Sequence, residues 1–352
     1  MIKKFTVALT YNVKPEVPTK VSNNSTQSYL QSESLLDKYA EWDTYETIYA
    51  IRDALAVHHN VIMIEANEDA YEKFRNLRPD IVFNVAEGAH GISREAQIPA
   101  ILDMLQIPYT GSDPLTLSLC LDKSRTKEVL TYYRIPNSKF VVSHGENGFA
   151  GKELNFPLIL KPIGEGSSKG IFNSSFVNDY ETFTNTLIEN VEKYNQPFIV
   201  EEYLPGREFT VAVLGNGNET RTLPIVEVNF SELPKDMIPI YSYEAKWILD
   251  TRDNPLDIFS CPAQIDAELE NKINEIVLKT YSVLNCKDWS RIDVRLDANG
   301  EPNIIEVNPL PGVLPNPDDN SCYPKAARAA GMDYTQMVNE VLQAALKRNG
   351  LA

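Results

Sequence analysis

Cysteine is scarce in this chain. Cys120, Cys261, Cys286 and Cys322 lie far apart with no C-x-x-C pair, so neither a zinc knuckle nor a disulfide framework is indicated, and a reducing cytoplasm is the natural setting. Long apolar runs are also missing. After Lys3-Lys4 the stretch Phe5 to Leu9 is too short and too soon interrupted for a signal peptide, and no window approaches a membrane span. Nor is there a basic excess: the net charge of −16 argues against a nucleic-acid or anionic-membrane surface, because phosphate backbones demand basic patches. What remains is 352 residues, 43% hydrophobic and 23% charged, enough core for two or three ordinary domains.

The first third alternates strand and helix patterns. Phe5 to Leu9 reads as a buried strand, and the polar stretch Thr19 to Glu33 as a mobile loop. Asp43 with Glu46 resembles a capping box opening a helix whose apolar face is Ile48, Ile51 and Leu55. A strand (Val61 to Ile64), a helix (Glu68 to Leu77) and a strand (Asp80 to Val85) follow, which predicts a parallel sheet with helices on its faces. The last strand runs into NVAEGAHGISRE, a loop at a strand C-terminus where open α/β sheets bind ligands. Glu87 and His90 are substrate candidates there, with an ordinary loop role as the alternative. A helix (Gln97 to Leu105) precedes the expected end of a first domain, residues 1–112.

A second region, 113–203, contains the strand FPLILKP, closed by Lys161, a lysine placed to reach something anionic unless it snorkels at the surface. GEGSSKG (Gly164 to Gly170) follows, a loop of small residues whose N–H groups approach a polyphosphate closely, with Ser167 and Ser168 adding hydroxyl donors. It matches neither the dinucleotide nor the P-loop pattern. Glu201, Glu202 and Glu208 flank the turn Pro205-Gly206 between two strands, read either as exposed strand-end charges or as acceptors for an adenine amino group and ribose hydroxyls. In the third region, 204–352, a strand Thr222 to Asn229 precedes the loop Ser242 to Asp257. It carries Tyr243, Lys246, Trp247 and Arg252 and has the length of a lid. The helix Asp266 to Asn285 has core spacing only.

The stretch Asp288 to Gly312 reads as a hairpin turning at Asn299-Gly300, the strongest signal for a type I′ turn. That register sets Val294 against Ile305 and Ile292 against Val307 on an apolar face. On the other face Asp293 meets Glu306 and Arg291 meets Asn308. Facing carboxylates repel, so the expectation is water or a cation between them. Hard oxygens beside an amide suit Mg2+ shared with phosphate; a solvated hairpin face is the alternative.

Taken together, DKS (122–124), FPLILKPIGEGSSKG, VEEYLPGREFTV, YEAK (243–246), WSRIDVRLD, IIEVNPLPG and SCYPKAARAAG resemble the ATP-grasp superfamily, and within it the D-alanine:D-alanine ligase family. The resemblance implies a Rossmann-like parallel-sheet domain followed by two α+β subdomains clasping ATP, and acts on small amino-acid-like molecules, with a homodimer as the expected assembly. It implies that Lys123 and Lys161 contact the α and β phosphates beneath the loop of Ser167 and Ser168. Glu201 would accept from the adenine amino group, with Glu202 beside it, the main chain of Leu204 would meet the ring edge, and Glu208 would hold the ribose. Lys246 would reach the γ-phosphate. Asp293, Glu306 and Asn308 would ligate two Mg2+ ions, for which Mn2+ can substitute. Arg291 and the Gly312 N–H would hold a tetrahedral oxyanion, and Ser321 would bind the second substrate's carboxylate.

The chemistry fits those parts: a carboxylate attacks the γ-phosphate to give an acyl phosphate, and an amine displaces phosphate, steps governed by positioning and electrostatics. Departures from the family pattern cluster elsewhere. The N-terminal Gly-Gly-x-Ser-x-Glu loop is replaced by Thr10 to Glu16, with Glu16 near but not at the matching place. Glu87 replaces a histidine, Ile92-Ser93 an acidic pair, and Trp247 a tyrosine whose hydroxyl bonds to the Ser167 position. The expectation is ligase chemistry on a substrate other than D-alanine, with Glu87, Trp247 and Ser321 at the substrate side. The alternatives are D-alanine:D-alanine ligase proper, a carboxylate or amine kinase, and a non-catalytic ATP-binding regulatory module; Arg291 speaks against the last.

Overall fold

The computed structural model describes residues 3–15, 39–145, 153–235, 237–250 and 256–352. The predicted loop Thr19 to Glu33, Glu16 and Arg252 lie outside the described residues. Near the N-terminus β1 (Thr6–Tyr11) runs parallel between β2 (Asn60–Glu65) and β3 (Ile81–Asn84). Alternation along β1 sends Val7 and Leu9 to one face and Ala8 to the other. The first face packs on Ile48, Ile51 and Leu55 of α1 (Tyr45–Ala56). The second packs on Phe74 of α2 (Ala70–Leu77) and on Ile98 and Leu102 of α3 (Gln97–Leu105). Helices on both faces explain why these strands are apolar throughout. The start of α1 differs from expectation. Thr44 occupies the N-cap position without a side-chain cap bond, and Asp43, one residue earlier, uses its carbonyl to accept from the Lys14 N–H at 2.7 Å.

Two helices, α4 (Pro114–Leu121) and α5 (Lys123–Tyr132), lead to an antiparallel sheet. Its strands are β4 (Phe140–Ser143), β5 (Leu158–Pro162), β6 (Phe176–Val177) and β7 (Phe198–Glu202), in the order β4-β7-β5-β6. Helix α6 (Tyr180–Tyr194) lays Phe183 and Leu187 on its apolar face.

A larger sheet follows, built from β8 (Glu208–Leu214), β9 (Arg221–Thr222), β10 (Val226–Val228), β11 (Phe259–Ser260), β12 (Trp289–Leu296) and β13 (Pro302–Asn308). Its order is β11-β10-β8-β12-β13, with β9 on β8. The strand expected over Thr222 to Asn229 is therefore two short ones; Pro224, which has no N–H to give a ladder, falls in the gap. Helix α7 (Ala267–Val283), capped by Asp266, buries Ile273 and Val277 against this sheet. Helices α8 (Cys322–Ala329) and α9 (Tyr334–Arg348) close the chain, and α9 packs on α1, so one core joins the first sheet to the last helices.

The hairpin of β12 and β13 keeps the predicted pairs Arg291/Asn308, Ile292/Val307 and Asp293/Glu306, but Val294 faces Ile304 rather than Ile305. The turn is longer than two residues. Asp297 accepts through Oδ1 from Asn299 N–H and Glu301 N–H, and Gly300 alone takes positive φ, at 80°. A type I′ turn needs positive φ at both central residues, so that prediction fails. A bulge between Asp293 and Val294 restores the register where the polar face begins.

Candidate active site

A cleft of about 400 Å3 opens between the two antiparallel sheets and the 40–44 segment. Of the described residues expected at the site, all but Lys123, Asn308, Glu87 and His90 line it.

Strand alternation explains the phosphate end. Glu201 lies opposite Ile159, so it shares a face of the sheet with Lys161 on β5. Its carboxylate meets Lys161 at 2.7 Å and Lys127 of α5 at 3.0 Å. Burial pushes Glu201 up, yet Lys127 and Lys161 outweigh it and hold the group down to about 2. Glu201, expected to accept from an adenine amino group, is here the counter-ion of two buried lysines. Lys127 was missed although it sits four residues from Lys123, on the same face of α5. Glu202 is also engaged, accepting at 2.9 Å from the Asn155 N–H and at 2.8 Å from its side-chain amide. Glu208 pairs with Arg295 at 2.7 Å, and burial still leaves its pKa raised.

On the hairpin face, Asp293 accepts from Arg291 Nε at 3.1 Å and Nη2 at 3.0 Å, and from the Thr210 hydroxyl of the neighbouring strand. Glu306 is 2.8 Å from Lys123, which outweighs burial and lowers its pKa. The repulsion between the two carboxylates is therefore already relieved by cationic side chains, Arg291 on Asp293 and Lys123 on Glu306. The donor set still fits Mg2+. Asp293 and Glu306 are direct strand partners, Asn308 is 3.4 Å from Asp293, and all three offer hard oxygens. No group of three or more His, Cys, Asp or Glu able to hold a metal occurs among the described residues, so the amide of Asn308 would be needed.

The segment around Tyr241 and Trp247, expected to be a lid, rests on the loop Gly164 to Gly170. Ser167 and Ser168 have φ of 51° and 61°. The Ser168 hydroxyl donates to the Tyr241 carbonyl at 2.7 Å, so it is turned to the lid rather than free for phosphate. The indole N–H of Trp247 donates to the Ser167 carbonyl at 3.0 Å. Replacing tyrosine by tryptophan has not cost the lid its tie to the loop, because a ring N–H reaches the main chain instead. Lys246 lies on a π-turn over Ala245–Leu249; burial, then Arg291, push its pKa down to about 8. The Ser321 hydroxyl accepts from the Leu314 N–H at 3.1 Å and donates to the Gly312 carbonyl at 3.3 Å, shaping the Gly312 turn.

The opposite wall was not foreseen. It is formed by Lys14, Glu41, Trp42, Asp43 and Thr44. The Lys14 ammonium stands 4.8 Å from the Trp247 ring centroid, a favourable cation–π distance. Burial pushes the Asp43 carboxyl up to about 7, with Lys14 pulling the other way. Glu87 does not reach this wall. Burial and then Glu95 raise it well above the usual carboxylate range, while burial and Glu41 raise Glu95 to about 8. Glu41, Trp42 and Thr44 carry no sequence signal, Asp43 reads only as part of a helix cap, and Lys14 only as one residue of the altered segment Thr10 to Glu16.

Comparisons with known proteins agree with this geometry. The family described as D-ala D-ala ligase C-terminus matches residues 135–343. The D-alanine–D-alanine ligase of Moorella thermoacetica is 31% identical over 298 residues, covering 82% of this chain and 89% of the relative. The uncharacterized protein y4sG of Sinorhizobium fredii is 35% identical over 269 residues, covering 76% of this chain and 75% of its own. Among solved structures, the D-alanine–D-alanine ligase of Bacillus anthracis complexed with ATP superposes with a TM-score of 0.67 at 20% identity, over 98% of this chain and 99% of that one. By its family match, its relatives and its fold, the chain belongs to the D-alanine:D-alanine ligase family and is an ATP-grasp ligase forming carbon–nitrogen bonds.

Proposed function

We propose that the enzyme joins an amino acid or amino-acid-like acid other than D-alanine to an amine, through an acyl phosphate. The observation that carries this reading is the donor-side wall. Lys14, Trp42 and Asp43 line the same cleft as Arg291 and Lys246, and the family's glycine-rich glutamate loop has no counterpart in this chain. A site discriminates through its buried polar groups, and these have been replaced while the phosphate side has been kept.

In this reading Lys123, Lys127 and Lys161 form a cationic floor for the phosphates, and Glu201 keeps two of those lysines in register. Lys246 reaches the γ-phosphate from the lid. The adenine and ribose lie along Glu202, Leu204 and Glu208. Arg291 and the Gly312 N–H meet the oxyanion that forms when the amine adds, and Ser321 fixes the turn that presents Gly312. Asp293, Glu306 and Asn308 would hold Mg2+, which supplies neutralisation of phosphoryl charge when bound. The residue ranges 1–112, 113–203 and 204–352 serve as the working division of labour. Cytoplasmic placement and a homodimer belong to the same proposal; among the described residues no helix is long and apolar enough to cross a membrane.

Hydroxylamine trapping tests the chemistry. With ATP, Mg2+ and a panel of D- and L-amino acids, the expected result is hydroxamate and ADP in equal amounts, diverted to amide when an amine is added. Hydroxamate that no amine ever diverts would indicate a kinase. ATP binding without ADP release from any acid would leave a non-catalytic module.

A further inference from the structure

Glu41 belongs to two places at once. It lines the donor-side wall of the cleft next to Trp42 and Asp43, and its Oε1 accepts the Gly166 N–H of the phosphate loop at 2.8 Å. The same carboxylate receives Arg94 Nη2 at 2.9 Å on Oε1 and 2.8 Å on Oε2. Arg94 Nη1 in turn donates to the Gly164 carbonyl at 2.8 Å. Two residues from the N-terminal third of the chain thus hold the first and third residues of the loop through main-chain bonds. Glu165 between them is tied back by Lys169 at 3.0 Å and Gln196 at 2.8 Å. Both partners are sheltered, with side-chain exposures of 11% for Arg94 and 14% for Glu41, so the pair is less screened than a surface bridge.

We propose that Glu41 and Arg94 are positioning residues that latch the phosphate loop to the donor-side wall, so that closure of the loop over ATP depends on how that wall is set. The loop needs such a tie. Ser167 and Ser168 both sit in the left-handed region, which residues other than glycine leave readily unless the surroundings hold them. The lid holds the loop at Ser167 and Ser168, and the latch holds it at Gly164 and Gly166, on the side facing the donor. Charge-assisted bonds to main-chain N–H and carbonyl groups are stronger than neutral ones and fix direction as well as distance. Gly166 is part of the device: a Cβ there would lie 2.3 Å from Glu41 Oε1. The inference rests on the reading of Gly164 to Gly170 as the phosphate loop, and its test is independent of any amino-acid substrate.

Amide hydrogen exchange on the full chain, with no substrate present, reads the latch directly. In Glu41→Ala, Arg94→Ala and Gly166→Ala, exchange within 163–171 should rise by about tenfold or more, while β5, β7 and α1 keep wild-type protection. Glu41→Gln, which keeps an acceptor for the Gly166 N–H, should restore part of the protection. Binding of the nonhydrolysable analogue AMPPNP should weaken by about tenfold in the alanine variants. Unchanged exchange in the loop would overturn the proposal. So would a rise that spreads equally through α1 and the first sheet, since the pair would then support the N-terminal fold in general. Normal exchange effects with no ligase activity on any acid would leave the latch standing and sink only the substrate reading.

Discussion

The two walls of the cleft are built by opposite means. The phosphate wall comes from neighbouring strands, and each carboxylate has a cation beside it: Asp293 with Arg291, Glu306 with Lys123, Glu201 with Lys127 and Lys161. The donor wall comes from loops far apart in sequence and is under-compensated: its Asp43 is held near 7, and two neighbouring carboxyls that do not line the cleft are also raised, Glu95 to about 8 and Glu87 well above the usual range. The first wall is a settled electrostatic frame for a ligand that is always the same. The second holds charge in suspense for a partner that completes it, which is where perturbed groups gather in functional sites.

The sharpest way to break this comparison is at the hairpin. Asp293→Ala and Glu306→Ala should each lower turnover by about a thousandfold or more while far-UV circular dichroism stays wild type. Near-normal turnover at limiting Mg2+ in either variant would remove the metal assignment. Arg291→Ala should cost about a hundredfold to a thousandfold in amide formation. ATP affinity should change far less, as measured by equilibrium binding. Because Arg291 also braces Asp293, an equal loss of both would assign the arginine to structure.

Lys246 provides a pH test. Its pKa is held down to about 8, so the ammonium proposed to reach the γ-phosphate is lost as pH rises past that value. The alkaline limb of kcat/KM, which reports the free enzyme, should fall near pH 8 and move upward in Lys246→Arg. An unmoved limb would exclude Lys246 as its origin.

On the donor wall the sign reverses. The folded state favours the neutral form of Asp43, so stability is full below the unfolded value of 3.8 and is lost as pH rises toward about 7. Asp43→Asn should match wild type near pH 3.5 and exceed it by roughly 1–2 kcal/mol at pH 8, a gain readable in urea midpoints. A gain that does not vary with pH would mean the cost lies elsewhere. The smallest effect is expected from Trp247→Phe, which removes the bond to Ser167 and should raise KM for ATP by about tenfold at most.

These differences also explain what was legible in the sequence. Parallel strands, α3, β7, β8 and the pairing of Asp293 with Glu306 follow from periodicity and alternation, which need only local information. The hairpin turn was misread because Asn-Gly signals a tight turn without revealing that Asp297 lengthens it and a bulge absorbs the difference. Lys161 and the long loop Ser242 to Asp257 are legible in the residues themselves, and family resemblance adds Lys123 and the roles expected of all three. It did not reveal that Glu201 serves two lysines, since Lys127 is brought there by helix packing. Glu41 and Arg94 carry no signal, Lys14 is only part of an altered loop and Asp43 reads only as a helix cap, because their meeting depends on tertiary placement of aperiodic loops.

In the proposed function the phosphate wall fixes the reaction, and the donor wall selects an acid other than D-alanine. Competition between acids in one vessel tests it most directly: purified enzyme, ATP, Mg2+ and an equimolar panel of D- and L-amino acids and dipeptides, with amide products ranked by mass spectrometry against total ADP. The account predicts ADP matched by an amide whose acyl half is not D-alanine, and D-alanyl-D-alanine as a minor product or none. D-alanyl-D-alanine as the dominant product would contradict it.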